Sequence, residues 1–321
     1  MNTTLKKTLK IVVPIAIGAS LVVYSYYSTS AADRQKIFDS IKNVDLIWVL
    51  LSILIGILSH VSRAVRWNYL LEPLGYKPKL RNNFLIILLS YFANILVIRS
   101  GEILRATALA TYENVPFEKG FGTIVTERII DLIMLLLVIF VALLFQYDVI
   151  IGILEENGIG LLGSIGLLVI GIIGLLLGIR IIQKSKSKFA IKIKTFAKGL
   201  LDGVLSVFKM KRKGAFVFHT ILIWSCYIGM FWVIKFTVPE TADLTLGQLL
   251  VAFIAGSFAM TATNGGLGLY PIAVAASLTF FGISKTAGDA FGWIMWTPQT
   301  LIVVVLGAIS FLVLPLWNRN Q

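Results

Sequence analysis

Ionisable side chains are scarce in the long apolar runs of this chain, and those present gather in a few places. Arg63 and Arg66 are three apart, which puts both on one helical face with Trp67 adjacent. Asn94, Arg99, Glu102 and Arg105 surround an interruption of the following apolar region, and Glu127, Arg128 and Asp131 open the run from Leu132 to Phe145. A charge at the centre of a membrane helix costs about 2.5–3.5 kcal/mol on the insertion scale, so these groups call for partners or a task. Arginines beside a cavity hold phosphate through charge-assisted hydrogen bonds. Two readings stay open for Arg63 and Arg66: substrate contact, or snorkelling to the headgroup layer. Glu102 can pair with Arg99 or Arg105, leaving one positive charge available. Glu127 and Asp131, four apart, would share a face, either as a helix-start salt bridge with Arg128 or as a network with the arginines around the first break. A second break, Asn264, Gly265, Gly266, Leu267 and Gly268, carries no charge, but its glycines permit close backbone approach and unusual dihedrals.

The elements that must position these groups are membrane helices. A hydrocarbon core of about 30 Å needs roughly 20 apolar residues in a helix. Six stretches meet that length, at about 8–27, 46–71, 121–146, 159–182, 214–236 and 290–316. Two further regions, 82–111 and 246–282, are interrupted by the two breaks. Lysines and arginines set the orientation. The segment 183–213 carries Lys184, Lys186, Lys188, Lys192, Lys194, Lys198, Lys209, Lys211, Arg212 and Lys213 against the single acid Asp202, so it is expected in the cytoplasm. Asp148, Glu155 and Glu156 mark an outer linker, Glu240 and Asp243 an outer loop, and Lys6, Lys7 and Arg319 place both termini inside.

This orientation requires region 82–111 to leave and return on the inner side and region 246–282 to do so on the outer side. The expected fold is therefore an all-α polytopic membrane protein with about six full spans and two re-entrant helical hairpins. Residues 45–146 and 214–316 form an inverted repeat, a plan used by many transporters, within a single transmembrane domain spanning 1–321. The competing arrangement makes each broken region two ordinary spans. Within 183–213, Phe189, Ile193, Phe196, Leu200, Val204 and Phe208 recur at helical spacing with lysines between them, which predicts a basic amphipathic linker at the cytoplasmic headgroup layer.

Hydrophobic residues make up 57% of the chain and charged residues 14%, which excludes an ordinary soluble domain. The formal charge of +13 lies in short segments flanking apolar runs, so it points to anionic headgroups and not to nucleic acid. Cys226 is the only cysteine and His60 and His219 the only histidines, so neither an intrachain disulfide nor a zinc cluster is expected, and no cofactor. Lys6, Lys7 and Lys10 before an apolar run, with Ser30, Ala31 and Ala32 after it, resemble a cleavable signal. The length of the run favours an uncleaved first span.

The motifs R-x-G-E-x-x-R (Arg99, Gly101, Glu102, Arg105, with Asn94 before it), E-R-x-x-D (Glu127, Arg128, Asp131) and G-G-L-G (Gly265 to Gly268) together resemble the transmembrane region of lysylphosphatidylglycerol synthases and related flippase-like membrane proteins, over nearly the whole chain. Two departures stand out: Val97 where the pattern has proline, and Tyr270 and Pro271 where an acid often follows the glycine run. Larger members join this region to a soluble aminoacyl-transferase domain that residues 1–321 do not include, so synthase activity is not implied. The resemblance implies a flippase or transporter for lipid or lipid-linked headgroups in a cytoplasmic (inner) membrane of bacterial type, with anionic or phosphate-bearing lipids as partners. Two alternatives remain from the residues. One is a non-catalytic membrane subunit anchoring a protein partner or a second copy. The other is an embedded enzyme acting on lipid phosphates, for which no nucleophile motif or metal-ligand spacing is present.

Overall fold

The computed structural model describes residues 3–97, 99–156 and 210–319, with scattered positions between 163 and 198. Every regular element among the described residues is helical. The chain divides into two units, residues 1–127 with 210–321, and residues 128–209.

In the first unit, α1 (Thr3–Ser28) and the short α2 (Ala31–Lys42) precede a recurring pattern of four helices. The pattern begins with α3 (Leu46–Leu71, 26 residues), α4 (Leu80–Leu96, 17 residues), α5 (Ser100–Glu113, 14 residues) and α6 (Phe117–Phe145, 29 residues), of which the residues up to Glu127 belong to this unit. Beyond the second unit's α7 (Tyr147–Glu156), the same order of long, medium, short and long returns. It comprises α8 (Lys213–Ile234, 22 residues), α9 (Leu246–Ala262, 17 residues), α10 (Leu269–Thr279, 11 residues) and α11 (Lys285–Trp317, 33 residues). Four described segments are long and apolar enough to cross a membrane: Leu46–Leu74, Phe117–Phe145, Lys213–Thr237 and Lys285–Trp317. Helices α4, α9 and α10 are apolar but shorter. The expected span at 159–182 lies largely outside the described residues.

Local chemistry explains where the helices begin and stop. Asp45 caps α3 by accepting from Ile47 N at 3.0 Å. Thr245 and Gln248 form a reciprocal capping box at the start of α9, which satisfies two otherwise orphan amides. Pro73 and a left-handed Gly75 end the α3 segment. Each hairpin closes at a glycine. A Cβ on Gly101 of α5 would collide with the Ser90 carbonyl of α4, and one on Gly256 of α9 would meet the Tyr270 ring of α10. Helix α3 packs along α8, and α11 packs against α4 and α10.

The second unit, described by itself, contains α7 in the stretch that the sequence marks as an acidic outer linker. Asp148 in the first turn of α7 complements the positive end of the helix dipole. Residues 188–191 are helical. Lys192, Phe196, Leu200, Asp202, Val204, Phe208 and Lys209 of the expected amphipathic linker lie outside the described residues.

Candidate functional site

The sequence left the partners of Arg63 and Arg66 open, and the fold supplies them. Arg63 and Arg66 of α3 and Arg105 of α5 converge on Glu127 of α6. Arg66 and Glu127 are 0% exposed and Arg63 and Arg105 are 3% exposed, so snorkelling does not apply. Arg105 grips the carboxylate with both terminal nitrogens, Nη2 donating to Oε2 at 2.9 Å and Nη1 to Oε1 at 3.2 Å. Arg63 donates to Oε1 and, through Nη2, to the Tyr227 hydroxyl at 2.9 Å. Arg66 Nη2 lies 3.5 Å from Oε1, and its Nη1 donates to Thr220 Oγ1 at 3.2 Å.

Aromatic rings form the walls. The Arg105 guanidinium carbon sits 3.8 Å from the centroid of the Trp67 ring, and that of Arg66 lies 5.7 Å from the Phe216 ring. Trp67 is itself held by its Nε1–H, which donates to Thr123 Oγ1 at 2.9 Å. Three guanidiniums meet one carboxylate, so these four side chains carry two positive charges in excess. Breaking such a buried set by removing one partner costs about 3–5 kcal/mol, because the remaining charge stays desolvated.

Arg105 therefore pairs with Glu127, the link between the E-R-x-x-D run and the arginines of the first break that was one of the two readings the sequence left open. Glu102 sits half-buried in the first turn of α5. Tyr227 and Thr220 were missed, since a hydroxyl in an apolar run gives little sequence signal. Their separation of seven residues, two turns on one face of α8, is the clue that was available. Arg128 and Asp131 belong to the second unit, where Arg128 Nη1 lies 4.0 Å from Asp131 Oδ2 and the Arg128 side chain is 44% exposed.

The two breaks meet inside the first unit. Asn264, buried at the end of α9, donates from Nδ2 to the Ile95 carbonyl at 3.2 Å and lies 3.4 Å from the Leu96 carbonyl, both in the last turn of α4. Its Oδ1 is buried without a hydrogen-bond partner. Arg99 and Gly265 occupy matching places in the two halves with nearly the same left-handed backbone, φ 59° and ψ 17° against φ 60° and ψ 28°. Asn94 Oδ1 accepts from Gly101 N at 2.8 Å and so stitches the first break. Trp296 Nε1 donates to the Gly265 carbonyl at 2.7 Å and fixes the second. Gly266 and Gly268 complete that turn at φ 80° and 73°. Gly268 fits against Gly18 and Leu21 of α1, leaving no room for a side chain. Arg99 is exposed at its tip.

A helical bundle with apolar spans and a buried ionic cluster defines an integral membrane protein. The chain belongs to the family described as the lysylphosphatidylglycerol synthase transmembrane region, which matches residues 11–317. It is similar to a UPF0104 membrane protein of Methanocaldococcus jannaschii, 32% identical over 100 residues that make up 30% of this chain and 30% of that protein. It is also similar to the glycosyltransferase AglD of Haloferax volcanii, 27% identical over 123 residues, 38% of this chain and 20% of that protein. The aligned stretches thus span less than a third of either relative's length. No solved structure gives a significant match.

Proposed function

We propose that this protein moves a lipid or lipid-linked headgroup bearing phosphate between the leaflets of a cytoplasmic membrane of bacterial type, with both termini on the inner side. The observation that most supports this reading is the convergence of Arg63, Arg66 and Arg105 on the single carboxylate of Glu127. Glu127 acts as a resident counter-ion that keeps the guanidiniums in place, and an arriving phosphate competes for them while the acyl chains remain in the bilayer. Asn94, Arg99, Glu102, Asn264, Gly265, Gly266 and Gly268 line the headgroup's route at the two hairpin tips. The recurring helix lengths in the two halves favour an inverted repeat, in which α4–α5 and α9–α10 are re-entrant and enter from opposite faces.

The experiment is leaflet exchange by the purified protein in liposomes, run with fluorescent phosphatidylglycerol, phosphatidylcholine and a polyprenyl phosphate. Exchange of a phosphate-bearing lipid that drops at least tenfold in Arg105→Ala, with folded yield retained, is the expected result. No exchange of any lipid above empty liposomes would overturn it. A second reading takes its support from the glycosyltransferase relative, of which the matched stretch is only 20%: the chain is a non-catalytic membrane subunit serving an enzyme. A stoichiometric partner that copurifies, together with absent leaflet exchange, would favour it.

A further inference from the structure

A groove of about 590 Å³ runs between α4, α5 and the C-terminal end of α11, lined by Leu89, Leu104, Thr107, Thr111, Phe311 and Pro315 among others. None of its lining residues belongs to the arginine cluster. Helix α5 separates the two, since Leu104, Thr107 and Thr111 recur at turns of three and four on one face while Arg105 points to Glu127. We propose that this groove holds the acyl chain of an anionic phospholipid that stays bound as part of the folded protein, independently of any lipid the protein moves.

The walls suit a chain. Both threonine hydroxyls are spent on their own helix, Thr107 Oγ1 donating to the Ile103 carbonyl and Thr111 Oγ1 to the Thr107 carbonyl, each at 2.9 Å. This leaves their methyl groups to the groove. Its volume falls within the roughly 300–1,000 Å³ of pockets that enclose small ligands.

One end of the groove suits a headgroup. Tyr112 and Leu316 line it there, and the residues that follow them form a polar lock across three helices. Asn82 Nδ2 donates to Glu113 Oε1 at 2.5 Å and to Asn318 Oδ1 at 2.8 Å, and Lys79 N donates to Glu113 Oε2 at 3.1 Å. The Glu113 carboxylate is thereby engaged on both oxygens. Arg81 lies over the Trp317 ring at 5.6 Å. Lys77, Lys79, Arg81 and Arg319 are all exposed at this end, and tryptophan and tyrosine mark the headgroup level. Four cations beside one carboxylate leave net positive charge at this end, which complements a phosphodiester whose chain enters the groove and selects an anionic lipid over a zwitterionic one.

The test uses the purified full chain in detergent, titrated with dioleoylphosphatidylglycerol, dioleoylphosphatidylcholine and glycerol 3-phosphate. The unfolding midpoint and native mass spectrometry are the readouts. The glycerol lipid is expected to raise the midpoint and to remain bound at one per chain, the choline lipid to bind more weakly, and glycerol 3-phosphate to do nothing. Arg81→Gln should weaken the glycerol lipid roughly fivefold and leave the choline lipid unchanged, whereas Lys36→Gln on α2 changes neither. Thr111→Trp, which fills the groove from an exposed position, should abolish both responses while keeping the lipid-free midpoint. Thr107→Phe replaces it if that variant does not fold. Equal binding of the two lipids, an unaltered response in the filled variant, or an equal response to glycerol 3-phosphate would each overturn the proposal. So would a filled variant whose lipid-free midpoint collapses in both versions, which would mean that protein already occupies the groove. None of these outcomes depends on leaflet exchange.

Discussion

Arg105 stacks its guanidinium 3.8 Å from the centre of the Trp67 ring while its terminal nitrogens clasp Glu127. The ring supplies a face that is electron-rich but asks for no hydrogen bond in return, so the cation is stabilised without a second carboxylate. Stacking and ion pairing thus hold one guanidinium from two sides, which fixes its orientation within the cluster.

Removing the shared counter-ion is the most direct perturbation. Glu127→Gln keeps the shape but leaves buried guanidiniums without their charge partner, and the expected loss is about 3–5 kcal/mol of stability. Detergent-solubilised protein followed by tryptophan fluorescence during heating measures it. A midpoint equal to that of the parent would show that the cluster is not energetically coupled through Glu127.

Arg99 offers a case where stability and function should move in opposite directions. Its left-handed backbone, φ 59°, costs an ordinary residue about 1–2 kcal/mol, and glycine returns part of that through the unfolded chain, about 0.4–1 kcal/mol. Arg99→Gly is thus expected to raise stability by roughly 0.5–1 kcal/mol while lowering leaflet exchange. Unchanged exchange in a stabilised variant would remove Arg99 from the proposed route.

Packing at the first hairpin can be tested with a matched pair of glycines. Gly101→Ala drives a Cβ into the Ser90 carbonyl, and overpacking of this kind costs about 1–3 kcal/mol. Gly122→Ala on α6 meets nothing within 4 Å, so the better helix former should be neutral or gain up to about 1 kcal/mol. Chemical unfolding of both variants side by side reads the difference, and equal effects would contradict the close approach of α5 to α4.

Orientation is open to labelling. Cys226 is buried, so an introduced cysteine near Glu155 should provide the main signal for an impermeant maleimide. Labelling from outside the cell at that position, together with a reporter after Gln321 that is active only inside, is the expected pattern. Outside activity of the C-terminal reporter would reverse the assignment.

Much of the helical frame was legible because membrane thickness fixes a minimum apolar length. The expected stretch 46–71 coincides with α3, and 214–236 with α8 to within two residues at its end. The breaks were legible as well, since polar residues and glycines at the middle of an apolar run disfavour an unbroken membrane helix. Partner choice was legible only as alternatives. Glu102 lies one helical turn from Arg105 and Glu127 lies 22 residues away, so the sequence left both open, and it gave no sign that Arg63 and Arg66 share the same carboxylate. The tie from Asn264 to the α4 carbonyls spans 169 residues, a distance over which spacing carries no information.

The equal length of α4 and α9 bears on how their broken ends survive in a membrane. Seventeen residues rise about 25 Å, some 5 Å less than a typical hydrocarbon core, whereas the 29-residue α6 and the 33-residue α11 reach about 44 and 50 Å. Carbonyls at the end of a helix that stops short of the far face have no water to turn to. Asn264 donates to two of them at the end of α4, and Trp296 donates to the Gly265 carbonyl beyond α9. Each short arm thus borrows its solvation from the rest of the protein, and neither could be excised without stranding the other.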